Sequence, residues 1–219
     1  MRDLFRDEVI GMKNVIITIA RGFGSGGKDI GVRLSKLLDI PCYEKEILSL
    51  ASDKSGISKE LFEETDERVK ISFLRKMVGS VPVNYKVEPS DRKFIHDNNL
   101  FHLQREVIEE LAKTESCIIV GKCADYILRD KKNTIKVYID APMSYCVSSI
   151  VERMGVGEME AIRMINKTDK YRSDYYKYYT GGSVWNNPIN YDICLNSGYL
   201  GRDKCVKIIK ELYEEKKSV

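Results

Sequence analysis

The chain has 219 residues, 43 per cent hydrophobic and 32 per cent charged, which suits one globular domain with small insertions and a sizeable core. Its net charge of +3, without a clustered basic stripe, argues against nucleic acid as a partner and fits a pocket for a small phosphorylated molecule. No apolar run approaches the roughly 18 residues that span a bilayer, so no membrane partner is expected. The opening MRDLFRDEVIGMKN is too charged for a signal-peptide core.

The expected location is therefore the cytoplasm, where thiols stay reduced. The six cysteines contain no CxxC pair and read as small buried apolar residues. His96 and His102 are poorly spaced for a metal site.

In chain order, the β-branched run Val15 to Ala20 predicts a buried strand. A glycine cluster follows, then IGVRLSKLL, whose Ile30, Leu34, Leu37 and Leu38 share one helical face. Helices are predicted over Lys45 to Ser52, Lys59 to Glu64 and Arg68 to Val78, before a polar loop with Pro82 and Pro89. Cys117 to Val120 and Ile135 to Ile139 read as strands, each followed by a helical segment, Ala124 to Leu128 and Met143 to Met154. A second helical stretch closes at Gly181 and Gly182. A last strand, Asp192 to Leu195, leads into a helix around Cys205 to Glu214.

Strands alternating with helices predict an α/β fold: three layers, with a parallel sheet covered on both faces. The core would span about residues 1–42, 93–155 and 185–219, interrupted by helical insertions at about 43–92 and 156–184.

Gly22-Phe23-Gly24-Ser25-Gly26-Gly27-Lys28 matches GxxxxGK between a buried strand and an amphipathic helix, the setting of a P-loop. Glycines let successive N–H groups turn inward onto phosphate oxygens. The helix N-terminus adds its dipole, and Lys28 reaches the β and γ phosphates. The cradle is thus Gly22, Gly24, Ser25, Gly26, Gly27, Lys28 and Asp29, with ATP as the expected nucleotide. Asp29 stands where Ser or Thr usually holds Mg²⁺; a carboxylate also binds Mg²⁺, so Asp29 is the metal-ligand candidate.

Two short patterns resemble GTPase signatures, Asn166-Lys167-Thr168-Asp169 and Asp53-Lys54-Ser55-Gly56. Neither follows a core strand, and both read as coincidence.

A P-loop with two helical insertions points to phosphoryl transfer between bound phosphates, with an acceptor lobe and a lid that excludes water. Such chemistry relies on positioning and charge neutralisation, so cations matter most. The second insertion and its approach supply Arg153, Arg163, Lys167 and Arg172. Arg163 and Lys167 lie four apart, on one helical face. Tyr171, Tyr175, Tyr176, Tyr178 and Tyr179 read as packing aromatics ahead of base-stacking ones, and Trp185 as an anchor where the lid returns to the core.

These residues carry a resemblance. IARGFGSGGKDIG, PCYEKEIL, IIVGKCADYILR, DKYRSDYYKYYTG and the run from Trp185 to Ser197 make the chain similar to the cytidylate-kinase-like family of P-loop nucleoside monophosphate kinases. An acidic residue after the loop lysine is usual in that branch. The resemblance implies transfer of the ATP γ-phosphate, with Mg²⁺, to CMP or dCMP, with UMP a further acceptor. It places the acceptor lobe from Tyr43 and Glu44 onward. It implies that Gly121-Lys122-Cys123, with Asp125, occupies the position of the Gly-Arg-Asp element that holds the acceptor phosphate; Lys122 keeps the charge without the arginine fork. Of the lid pattern Arg-Asp-x-x-Asp-x-x-Arg, Asp169 and Arg172 remain. Two alternatives stay open, a kinase of another small phosphorylated or hydroxylated metabolite and a nucleotide sensor without turnover. The chain is expected to act as a monomer or homodimer.

Overall fold

The computed structural model describes residues 14–55 and 97–218. They run β1 (Ile16–Arg21), α1 (Gly27–Leu38), β2 (Cys42–Tyr43), α2 (Glu46–Ser55), α3 (Asp97–Thr114), β3 (Cys117–Val120), α4 (Ala124–Ile127) and β4 (Thr134–Asp140). Then come α5 (Met143–Met154), α6 (Glu158–Tyr179), a 3-10 turn (Pro188–Asn190), β5 (Ile193–Asn196), α7 (Ser197–Leu200) and α8 (Arg202–Lys217). The strands form one sheet of five, in the order β2-β3-β1-β4-β5, every neighbouring pair parallel. This is the three-layer α/β architecture that the alternation predicts.

A strand buried on both faces sends alternate side chains to opposite layers, which the apolar run of β1 permits. Ile17 and Ile19 join Ile118, Val120, Val137 and Ile139 beneath α1 and α8, where Ile30, Leu34, Val206 and Ile209 meet them. Ile16 and Ala20 face the other way with Cys117 and Ile119, covered by α2, α3 and α4. Gly31 lets α1 lie close to the sheet: a Cβ there would sit 3.2 Å from Val120 Cγ2 and 3.4 Å from Ile19 Cδ1.

A smaller cluster joins α5 to α6 through Cys146, Ile150, Ala161 and Ile165. Further along α6, Tyr179 stacks on Phe101 of α3 with ring centroids 4.0 Å apart, and Tyr176 is buried. The tyrosine-rich segment is thus largely packing, and α6 lies along the body of the domain. Trp185 is buried edge-on to Tyr138 at 5.6 Å, the anchoring expected of it.

Three elements escape the sequence patterns. β2 is only two residues long, α3 carries mixed polar residues through 18 positions, and α7 is a single turn. The helices expected over Lys59 to Glu64 and Arg68 to Val78 lie outside the described residues. Among the described residues no helix is long and apolar enough to cross a membrane.

Ile119 of β3 is fully buried beneath the helical layer of α2, α3 and α4. Ile119→Ala should destabilise the fold by about 2–5 kcal/mol, read as a lower urea midpoint at unchanged slope. A loss below about 0.5 kcal/mol would contradict the packing described here.

Candidate active site

In an open parallel sheet, ligands gather outside the C-terminal strand ends where connections diverge to opposite sides. Here those ends belong to β1, β3 and β4, and they carry Arg21-Gly22, Gly121-Lys122 and Asp140. The phosphate loop leaves β1 with the Gly22 N–H donating to Ile139 O at 3.0 Å. Gly24 and Gly26 adopt φ of 91° and 82°, a region costly for other residues. A Cβ on Gly24 would meet the Cys146 backbone at 2.8 Å, so the loop is pressed against α5. Ser25 Oγ donates to Gly22 O at 2.9 Å, and Ser197 Oγ of α7 reaches Ser25 O at 2.6 Å and lies 3.1 Å from Asp140 O. The loop therefore keeps its curl through Ser25 from within and Ser197 from α7. The Gly26 to Asp29 amides open α1 and have no acceptor within the helix.

The ionic groups around this cradle are already paired. Glu44, just beyond β2, accepts from Arg21 Nη2 at 2.8 Å through Oε1, and its Oε2 meets the Lys28 ammonium. Burial pushes the Glu44 carboxyl upward, but Lys28 and Arg21 outweigh it and hold it below the usual range. Asp169 of α6 accepts the Phe23 N–H at 2.8 Å, and Arg172 joins it at 3.1 Å while donating to Arg21 O at 2.8 Å. Burial pushes Asp169 up, against the opposing pull of Arg172 and the Phe23 amide. Burial, reinforced by the Arg21 charge, lowers Arg172 to about 10.

On the neighbouring strand, Gly121, Lys122 and Cys123 have φ of 79°, 58° and 54°. Two non-glycine residues in succession in the left-handed region mark a strained turn. Cβ on Gly121 would lie 2.2 Å from Arg21 Nη1, so glycine makes room for that guanidinium. The turn leads to Asp125, buried and accepting from Tyr176 Oη at 2.8 Å. Desolvation raises its carboxyl to about 6, against the Tyr176 hydrogen bond, which lowers it.

The sequence-derived candidates separate into groups. Lys28, Glu44, Asp169 and Arg172 lie together with the loop, and Lys122 and Asp125 share the adjacent turn. Tyr43 faces elsewhere, donating to Glu115 at 2.8 Å, and burial followed by that bond raises its phenol. Arg153 and Arg172 lie 5.8 and 5.7 Å from the Phe23 ring centroid, within cation–π range. Arg163 points to solvent beside Glu160 at 3.4 Å, and Lys167 is exposed one turn on, so the structure does not bring these two to the loop. Asp29 Oδ2 is shared by Arg33 at 2.9 Å and Arg202 at 3.3 Å.

Four neighbours of the loop were not legible as site residues: Arg21, Asp140, Ser197 and Arg202. A Cβ on Gly22 would lie 2.3 Å from Asp140 Oδ1, and one on Gly26 2.6 Å from Arg202 Nε. Arg21 did leave a signal, as a lone charge closing the apolar run of the central strand at its ligand-binding end. Among the described residues no group of three or more His, Cys, Asp or Glu is placed to hold a metal. Mg²⁺ bound mainly by phosphates and water needs no such group.

Fold and loop together define a P-loop kinase. The family model of the cytidylate kinase-like family matches residues 16–199, and the chain belongs to that family. An uncharacterized protein of Eubacterium ventriosum is similar over 92% of this chain and 99% of its own, at 28% identity and a TM-score of 0.67. A shikimate kinase of Bacteroides thetaiotaomicron shares the fold, at 14% identity and a TM-score of 0.51, over 91% of this chain and 98% of its own. No curated protein matches the sequence.

Asp125 supplies a pH signature. Its folded pKa of about 6 exceeds the ordinary 3.8, so its contribution to stability is full below about pH 4 and lost as pH rises through 6. Asp125→Asn should remove that component: the stability of the wild type relative to the variant should fall between about pH 4 and pH 6. Urea midpoints of both proteins across that range check it, and a difference independent of pH would contradict the burial of an ionisable carboxyl here.

Proposed function

We propose that this protein transfers the γ-phosphoryl group of ATP to a nucleoside monophosphate, with CMP or dCMP as acceptor. One observation carries the reading: Lys28 and Arg21 converge on a single carboxylate, with Arg172 fixed beside them, where the P-loop meets the segment that follows β2. Membership in the cytidylate kinase-like family supports it.

The loop suits a triphosphate. Its positive-φ glycines and closely approached backbone leave no room for side chains, while α1 presents its first-turn amides. Lys28 would neutralise the β and γ phosphates, and the Gly24 to Asp29 amides would cradle them. Arg172 would bridge donor and acceptor, with Lys122 and Asp125 on the acceptor side. Tyr43 and Glu44 begin the acceptor lobe, and Asp169 positions Arg172. Mg²⁺ would be held mainly through phosphate oxygens and water; Asp29, its Oδ2 committed to two arginines, orders those guanidiniums more readily than it binds metal directly. Arg153 flanks Phe23, and Arg163 and Lys167 would contribute only if α6 turned.

A second reading has its own observation. A carboxylate beside the loop lysine is also suited to orienting a hydroxyl group, so Glu44 favours a hydroxylated small metabolite as the alternative acceptor.

ADP release with ATP and Mg²⁺, measured across CMP, dCMP, UMP, AMP, GMP and a set of sugar and polyol acceptors, tests both readings. Turnover dependent on a pyrimidine monophosphate is expected. Turnover with a hydroxylated acceptor alone would favour the second reading, and none with any acceptor would refute both. Lys28→Ala should lower kcat by about 100-fold or more while the fold persists, read from an unchanged circular dichroism spectrum; an unchanged kcat would remove the role given to Lys28.

A further inference from the structure

Arg21 ends the central strand, and its guanidinium leans toward β3 into the space that Gly121 leaves open. Its Nη2 meets one oxygen of Glu44 while the other oxygen meets Lys28. One carboxylate therefore spans two cations, one of them the lysine of the phosphate loop. Two cations that share one carboxylate in this way have the charge and spacing to share two oxygens of one phosphate. Arg172 fixes the other end of this residue by donating to Arg21 O at 2.8 Å.

We propose that Arg21 is a phosphate-binding residue, the guanidinium fork that grips the acceptor phosphate beside Lys28, and that Glu44 is the stand-in anion which this phosphate displaces. The inference rests on the monophosphate-kinase reading and deepens it.

Three physical arguments support the assignment. A guanidinium presents a rigid planar fork matched to phosphate oxygens, which an ammonium such as that of Lys122 does not. Arg21 is also expensive to keep where it is. Desolvation lowers its pKa against the attraction of Glu44, and Arg172, a second desolvated guanidinium, feels its repulsion. A buried ion pair is often no more stable than apolar side chains of the same size, so such a cluster is poorly explained by stability alone. Finally, the carboxylate lies just beyond the strand β2 that borders β3, on the side that the monophosphate-kinase reading gives to the acceptor, and away from Asp29 and Arg202.

An ordinary structural ion pair and a stand-in anion differ in sign. If the pair only braces the fold, removing either partner weakens ligand binding alike. If Glu44 competes with phosphate for Arg21, its removal spares or strengthens phosphate binding while removal of Arg21 weakens it.

Calorimetric titration of the full chain with CMP and with cytidine, for wild type, Arg21→Gln, Arg21→Lys and Glu44→Gln, reads this directly. Arg21→Gln should weaken CMP by about 10-fold or more and leave cytidine within about twofold, because only CMP carries the phosphate. Arg21→Lys keeps a charge for Glu44 to pair with, and should still lose several-fold for CMP; it also serves if Arg21→Gln fails to fold. Glu44→Gln should bind CMP as tightly as wild type or tighter. Equal weakening by Arg21→Lys and Glu44→Gln, or equal losses for CMP and cytidine, would overturn the proposal while leaving the monophosphate reading intact. A wild type that binds CMP with no measurable affinity would overturn the reading and the proposal together.

Discussion

Cations gathered at the ends of parallel strands need counter-charges, and this protein supplies them with its own carboxylates. Glu44 holds Arg21 and Lys28, and Asp169 holds Arg172 together with the Phe23 amide. These pairs tie the segment after β2 and the long helix α6 to the phosphate loop. The remaining contacts of the site follow from them. Arg172 reaches the Arg21 carbonyl because Asp169 sits on the loop, and Gly121 lacks a side chain where the Arg21 guanidinium needs room.

The same constraint shapes the two sides of the loop differently. On the α1 side, Asp29 meets Arg33 and Arg202, and Arg202 also lies 3.2 Å from Ser149 Oγ, so α1, α5 and α8 are joined around the start of α1. On the β3 side the backbone bears the strain, with Gly121 to Cys123 all at positive φ before the buried Asp125. That turn is fixed from below by Tyr176 of α6, which donates to Asp125. Helix α6 thus contacts the loop through Asp169 and the turn after β3 through Tyr176, two turns apart on one face.

Much of the fold was legible because it rests on local patterns. The buried strands of β1, β3 and β4 are short β-branched runs, and the glycine loop has a fixed spacing. β2 was hidden because a two-residue strand gives no period, and α3 because its polar positions dilute the apolar face. The site was legible where a motif fixed it, at Lys28 and in the loop glycines. It was hidden where long-range packing decides. Nothing in the local sequence says that Arg21 faces Gly121, that Ser197 supports Ser25, or that Asp169 caps Phe23, since these partners lie far apart in the chain. Arg163 and Lys167 show the converse: spacing put them on one face of a helix, and the packing of Ala161 and Ile165 turned that face outward.

Phosphorus NMR of the protein with ATP, Mg²⁺ and CMP follows the transferred group itself. With transfer to CMP, the γ resonance of ATP declines as the β resonance of CDP grows, one for one. A γ-phosphate that stays on ATP, or leaves only as inorganic phosphate, would contradict it.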